Sequence, residues 1–455
     1  MKILLKNGTA LVDRNLCKVD IMLDNEKIVE IGNGLKLSLD TKIIDCSNKY
    51  IFPGIVDAHV HFDMPCGPSE RTIDDFYSGS VSAACGGVTT VIDYVEPKDN
   101  QMPLEAVAER RKEADGNICI DYGLHYVVRE WKDKYLEQLE KVLNYGIISF
   151  KVFTAYDHMK LSYENIYKLF VWSKEHNALV TVHAEEDQIV KDKINELRKN
   201  GYIHPSFHSK SRPVYSEVKA VENILNLASK ANSPVYFVHI STYEAAKLIQ
   251  AAQENGKNIY AETCPHYLLL NNTVYRDSKI PQLFIMCPPL REEKERLSLW
   301  NAVGKGVFSV IATDHCAFSK IQKTKSETFY DTFAGIPGVE TLLPLMYSEG
   351  MSSGKLNIVN LIEMLSTNPA KLFGLYPQKG VIKVGSDADV VVFDPHKEII
   401  LDGQKLHSNS KYSPYDGRKI KGYPEITILR GNIIYKNGKF CGNKGYGKFV
   451  PGKKH

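Results

Sequence analysis

The 455-residue chain has no apolar run of membrane-spanning length and no marked bias of charge. Its opening stretch, MKILLKNGTALVD, holds only Ile3, Leu4 and Leu5 as an uninterrupted apolar run, too short for the core of a secretory signal. Lys and Arg number 57 against 54 Asp and Glu, so the basic excess of a nucleic-acid surface is missing. Cysteine is sparse: the nine are odd in number, scattered and never spaced Cys-x-x-Cys, which argues against a disulfide framework or a zinc knuckle. The remainder, 43% hydrophobic and 24% charged, is ordinary for a soluble protein. The expectation is a reduced, cytoplasmic chain that acts on a small molecule, with no nucleic-acid and no membrane partner.

The two ends share one texture. KILLKNGTALV, KVDIMLDNEKIVEIG and TKIIDCSNKYI near the start, and GSDADVVVFDP and EITILRGNIIYKNGKF near the end, are short β-rich runs cut by Asn, Asp and Gly turns. They suggest one small β-sandwich domain assembled from residues 1–52 and 376–455. Between them, over 53–375, eight apolar runs of strand length alternate with amphipathic segments. In SEVKAVENILNLASKA, for example, Val218, Val221, Ile224, Leu225 and Ala228 share a helical face. Eight β-then-α units point to an α/β fold, a (β/α)8 TIM-like barrel with insertions. An open doubly wound sheet is the alternative, but no Gly-x-Gly-x-x-Gly follows the first run.

A barrel presents its chemistry at the C-terminal ends of its strands. The first run ends Asp57-Ala58-His59-Val60-His61, and residues two apart on a strand share a face, so His59 and His61 can converge on one ion. Lys151 lies in the fourth run, His183 in the fifth, His239 in the sixth, and Asp314-His315 in the eighth. Imidazole with carboxylate suits zinc, manganese or iron. Lys151, among Ile147, Ile148, Phe150, Val152 and Phe153, has its charged form disfavoured. A free amine there can add CO2 to become a carbamate that bridges two cations; the other reading is a barrel lysine paired with a carboxylate.

The ordered motifs FPGIVDAHVHFDMP, SFKVFTAY, VTVHAE, FVHIST, ETCPHYLLL, PPLR, ATDHCAF, GIPGVE, NPAKLFGL and KGVIKVGSDADVVVFDP span nearly the whole chain. In them the chain resembles the cyclic amidohydrolases, above all the hydantoinase and dihydropyrimidinase group and its D-hydantoinase and phenylhydantoinase-like members. The resemblance implies opening of a cyclic ureide or imide to an N-carbamoyl amino acid by two divalent metal ions, zinc foremost. It assigns His59 and His61 to one metal, His183 and His239 to the other, and Lys151 as an N6-carboxylysine to both. Asp314 would ligate the first metal and act as general base, and Tyr156 would steady the oxyanion. Substrate contacts would fall to Tyr156, Cys287, Ala334 and Gly335, and the assembly would be a homotetramer. The loop Phe62-Asp63-Met64-Pro65-Cys66, with Phe153, Tyr156 and His158, would line the pocket for the exocyclic group.

Several positions depart from the group's pattern. Cys287 replaces the usual Ser before Pro-Pro-Leu-Arg, and Ala334 replaces the usual Asn before Gly335. His266 in Cys-Pro-His is shared with allantoinases, whereas Asp-His-Cys316-Ala-Phe318 leans to hydantoinases. The alternatives are therefore an allantoinase or another cyclic ureide hydrolase. A non-catalytic dihydropyrimidinase-related scaffold would have lost metal ligands that this chain keeps, and a metal deaminase would not need Lys151.

Overall fold

A computed structural model describes residues 2–67 and 69–454. Five strands open the chain: β1 (Lys2–Val12), β2 (Asn15–Asp24), β3 (Lys27–Gly32), β4 (Lys42–Asp45) and β5 (Tyr50–Pro53). Eight shorter strands follow, alternating with helices: β6 (Ile55–Asp57), β7 (Val88–Val95), β8 (Asp121–Val127), β9 (Ser149–Phe153), β10 (Leu179–His183), β11 (Val235–Phe237), β12 (Ile259–Thr263) and β13 (Val310–Ile311). The last four, β14 (Val390–Ile400), β15 (Lys419–Leu429), β16 (Asn432–Lys436) and β17 (Lys439–Phe440), return to the first sheet.

β6 to β13 pair in parallel in sequence order. The ring is drawn together by a bridge from Val60 to His315 and by Thr313, whose N–H and hydroxyl donate to the Asp57 carboxylate at 3.1 and 2.5 Å. All eight runs expected as barrel strands are barrel strands. The amphipathic stretch expected as a helix forms Val214–Ala231. Two further helices end next to glycines at positive φ, Gly146 (+100°) and Gly256 (+72°), a conformation that favours glycine after a helix.

The terminal strands form one sheet in the order β17-β16-β15-β14-β5-β1-β2-β3, with β4 beside β1. Strand alternation explains its place. On β5 and β14, Ile51, Val390 and Val392 enter the sheet's own core with Ile3, Leu5 and Ile428. Their neighbours Phe52, Val391 and Phe393 enter the main core instead. Both faces are buried, so Val390-Val391-Val392-Phe393 reads as an unbroken apolar run rather than an alternating one. The chain then returns across the barrel. Val450 N–H donates to Tyr122 C=O at 2.8 Å, and the Val450 side chain packs with Val56, Ile92 and Tyr236.

Candidate metal centre

The polar residues at the strand ends meet on one rim of the barrel. His59 and His61 follow β6, Lys151 lies in β9, His183 ends β10, and His239 and Asp314 follow β11 and β13. The bridge at Val60 keeps the chain extended past β6, so His59 and His61 still face the same way. Their Nε2 atoms are 3.2 Å apart and lie 3.2 and 3.3 Å from Asp314 Oδ1. His183 Nδ1 and His239 Nε2 lie 3.0 Å apart, and the His59 and His239 ring centroids 5.5 Å apart, so the two histidine pairs are neighbours.

Protonation follows from burial. Desolvation holds His59 and His239 well below the ordinary imidazole value and also lowers His183, leaving neutral rings with a lone pair to offer. Burial alone would raise the Asp314 carboxyl, but it lies far below the carboxylate range, because any proton taken up by the facing His59, His239 or His61 adds a positive charge that opposes protonation of the carboxylate. Lys151 is 1% exposed, and burial lowers its ammonium to about 8 despite the opposing pull of Glu262 and Asp314. Its Nζ faces the rings of Tyr94 and Phe153 at 5.1 and 5.0 Å. Among the described residues no carboxylate forms an ion pair with it, so the reading as an ordinary paired lysine loses its support. Converging neutral imidazoles, one anionic carboxylate and an unpaired buried lysine fit divalent cations as a donor set.

Two carboxylates inside the motifs VTVHAE and ETCPHYLLL, to which the sequence reading gave no role, set the ring orientations. Glu262 of β12 touches His59 Nδ1, accepts the Tyr236 hydroxyl at 2.7 Å and the His239 N–H at 3.0 Å, and so turns His59 Nε2 toward Asp314. Glu185 lies 2.9 Å from His183 Nε2, leaving Nδ1 to face His239, and is itself held by Arg212. Such partners fix the tautomer of a ligating histidine. The signal for both was present: a glutamate inside or directly after an apolar strand run, Ala-Glu-Thr and His-Ala-Glu. Glu262→Ala should weaken metal binding by about 10–100-fold, read by competition with a chelator at constant fold by circular dichroism. Unchanged affinity would show that His59 needs no such support.

Tyr156, His239 and Asp314 have φ of +72°, +38° and +49°. Left-handed backbone at non-glycine residues is uncommon and concentrates at functional sites, where surrounding packing holds it. The six residues at the strand ends, with Tyr156, Cys287, Ala334 and Gly335, line one cavity of about 690 Å³. Met64, Pro65, Cys66, Phe153 and His158 line it too. Phe62 and Asp63 do not. Phe62 is fully buried beside Phe76, and Asp63 pairs with Arg71 at 2.6 Å.

Two further histidines, His315 and His266, stand outside this cavity lining. His315 Nδ1 accepts the N–H groups of Gly338 and Val339 at 3.0 and 3.2 Å, and Nε2 faces Asp74 at 3.2 Å. His266 is buried against Tyr267, away from the cavity lining. A second acidic cluster, Asp121, Asp387 and Asp389, surrounds Lys379 Nζ at 2.5, 3.0 and 2.7 Å, so an ammonium already fills it.

Comparison with known proteins shows the family and the fold. Residues 50–434 match the amidohydrolase family. The D-phenylhydantoinase of Escherichia coli (strain K12) is 36% identical over 457 aligned positions, covering 100% of this chain and 98% of its own. The crystal structure of dihydropyrimidinase from Brevibacillus agri NCHU1002 superposes with a TM-score of 0.97 at 34% identity, over 100% of this chain and 99% of that one. An L-hydantoinase (dihydropyrimidinase) from Arthrobacter aurescens superposes with a TM-score of 0.91 at 27% identity, over 99% of both chains.

Proposed function

The chain belongs to the amidohydrolase family, and we propose on that basis that it hydrolyses the cyclic amide of a hydantoin or dihydropyrimidine to an N-carbamoyl amino acid. The observation that carries the reading is the convergence of His59, His61 and Asp314 beside the His183–His239 pair, with Lys151 buried and unpaired among them.

His59, His61, His183, His239 and Asp314 would hold two divalent cations, and Lys151 would add oxygen donors once its amine has added CO2 and released a proton. Bound there, the cations would acidify a shared water and polarise the scissile carbonyl. The chain's own part is proton transfer, charge stabilisation and orientation. Asp314 takes the proton of the attacking water and passes it to the departing ring nitrogen. Burial holds the Tyr156 hydroxyl well above the ordinary phenol range, so it stays a donor for the developing oxyanion. Such a donor contributes about 3–4 kcal/mol to the transition state. Arg212 lies over the Tyr156 ring at 5.0 Å and steadies it.

Gly335 N–H is committed to Ile285 C=O at 2.9 Å, so the ring amide is met by backbone groups of Cys287 and Ala334. Phe318 stacks on Phe333 at 4.9 Å, and with Met64 and Phe153 they make an apolar wall suited to an apolar or aromatic exocyclic group. The metal is zinc, manganese or iron, and the working form a cytoplasmic homotetramer.

The test is elemental analysis together with ring-opening assays on hydantoins, dihydrouracil and allantoin. Two metal ions per chain with turnover of hydantoins or dihydrouracil is the expected result. Preference for allantoin would move the protein to the ureide hydrolases. A folded, metal-free chain inert on every ring would overturn the reading in favour of a scaffold.

A further inference from the structure

Lys323 is fully buried, yet no carboxylate among the described residues pairs with it. It closes a short helix, Lys320–Lys323, whose start is held by a reciprocal pair of bonds between Ser319 and Gln322. From there its Nζ donates to three backbone carbonyls: Ile285 at 2.7 Å, Phe333 at 2.6 Å and Gly335 at 3.0 Å. An ammonium has three N–H donors and no lone pair, so the three acceptors saturate it. These carbonyls belong to two segments distant in sequence. One leads into Met286-Cys287, and the other encloses Ala334. The segments are joined a second time where Gly335 N–H donates to Ile285 C=O. Gly335 is required here, since an added Cβ would lie 2.4 Å from Cys316 O and its φ is +148°.

We propose that Lys323 is a positioning residue for substrate recognition, whose ammonium clamps the Cys287 and Ala334 segments at the spacing that receives the substrate's ring amide. The inference rests on the ring-opening function proposed above. Ala334 has no side-chain amide with which to reach a ring, so recognition depends on where backbone groups stand, and Lys323 sets that place without touching substrate. The groups facing Nζ are the Cys316 and Cys287 thiols, the His208 imidazole, which burial keeps neutral, and, at 6.0 Å, the Phe318 ring. Burial pushes both thiols up, so they stay protonated and uncharged. Burial also lowers the Lys323 ammonium to about 7. Below that pH three donors meet three acceptors; above it the amine has two donors and a lone pair, and one carbonyl is left unmatched.

The direct test is the pH dependence of KM in the wild-type holoenzyme, with a dihydropyrimidine whose ring nitrogens do not ionise over the range. KM should rise by about tenfold or more between about pH 6 and about pH 9, with no parallel change in kcat. Lys323→Met should show a high KM that no longer follows pH, wild-type metal content, and faster amide exchange at Gly335 than wild type at the same pH. A flat wild-type KM overturns the clamp, as does a folded Lys323→Met with wild-type KM and Gly335 exchange. If that variant does not fold, the wild-type profile decides alone. Absence of turnover on every ring would fault the proposed function, whereas turnover with a flat KM faults only the clamp.

Discussion

Asp314→Asn should give a folded, metal-binding protein whose kcat is lower by about two to four orders of magnitude, the range that general acid–base catalysis contributes. The substitution isolates the proton. Asn has the shape of Asp and keeps an oxygen to point at His59 and His61, so much of the metal affinity is retained. The backbone at Asp314 is left-handed, at φ +49°, and Asn tolerates that region as readily as Asp, whereas most residues would strain the turn. Only the capacity to accept and return a proton is lost. The carboxylate is anionic throughout the working range: proton uptake by the surrounding imidazoles would add positive charge beside it, which outweighs its burial and holds it far below the usual value. Acid inactivation should therefore not report the titration of Asp314. Steady-state kinetics beside elemental analysis on the same preparation checks this. A fully loaded variant with kcat within about tenfold of wild type would remove Asp314 from the proton path.

Lys151→Ala should lose metal first and activity with it. The side chain is 1% exposed and faces Tyr94 and Phe153. Truncation would take away the proposed bridging ligand and leave a cavity beside four histidines. Turnover should fall by about a thousandfold or more, since without both cations the attacking water is not acidified. Short carboxylic acids, formate, acetate or propionate, should enter the vacated space and restore part of both metal content and turnover, by supplying the two oxygens that the carbamate would have provided. The wild-type lysine also predicts a pH effect of definite sign. Its ammonium is lowered from 10.5 to about 8, so the free amine that reacts with CO2 is scarce near pH 6 and abundant by pH 8. Metal loading in bicarbonate should accordingly increase with pH across that interval. Isotopically labelled bicarbonate should place a carbamate carbon signal in the wild type and none in Lys151→Ala. Two metals per chain and normal turnover in Lys151→Ala would end the carbamate reading.

Much of this protein is legible in one dimension. The eight barrel strands are runs of strand length whose interiors are apolar, and β-structure at both ends shows through its turns. His59 and His61 announce themselves because alternation puts residues two apart on one face. His183, His239 and Asp314 stand out because polar residues at the ends of apolar runs need a reason to be there. These inferences rest on local periodicity, which the chain carries with it wherever it goes.

What the sequence could not supply was the partner of each group. Glu262 and His59 are separated by 203 residues, and Lys323 and Ile285 by 38. Whether a buried glutamate steers a ligand, or a lysine finds carbonyls rather than a carboxylate, depends on neighbours brought together only by barrel closure. The same holds for the loop after β6: Phe62 and Asp63 turn to Phe76 and Arg71, while Met64, Pro65 and Cys66 face the cavity. Loop side chains follow no period, so their direction is set by what packs against them. The sequence by itself determined which residues stand on the rim. The tertiary structure decided which way they face and what holds them, because both depend on distances between strands and loops far apart along the chain.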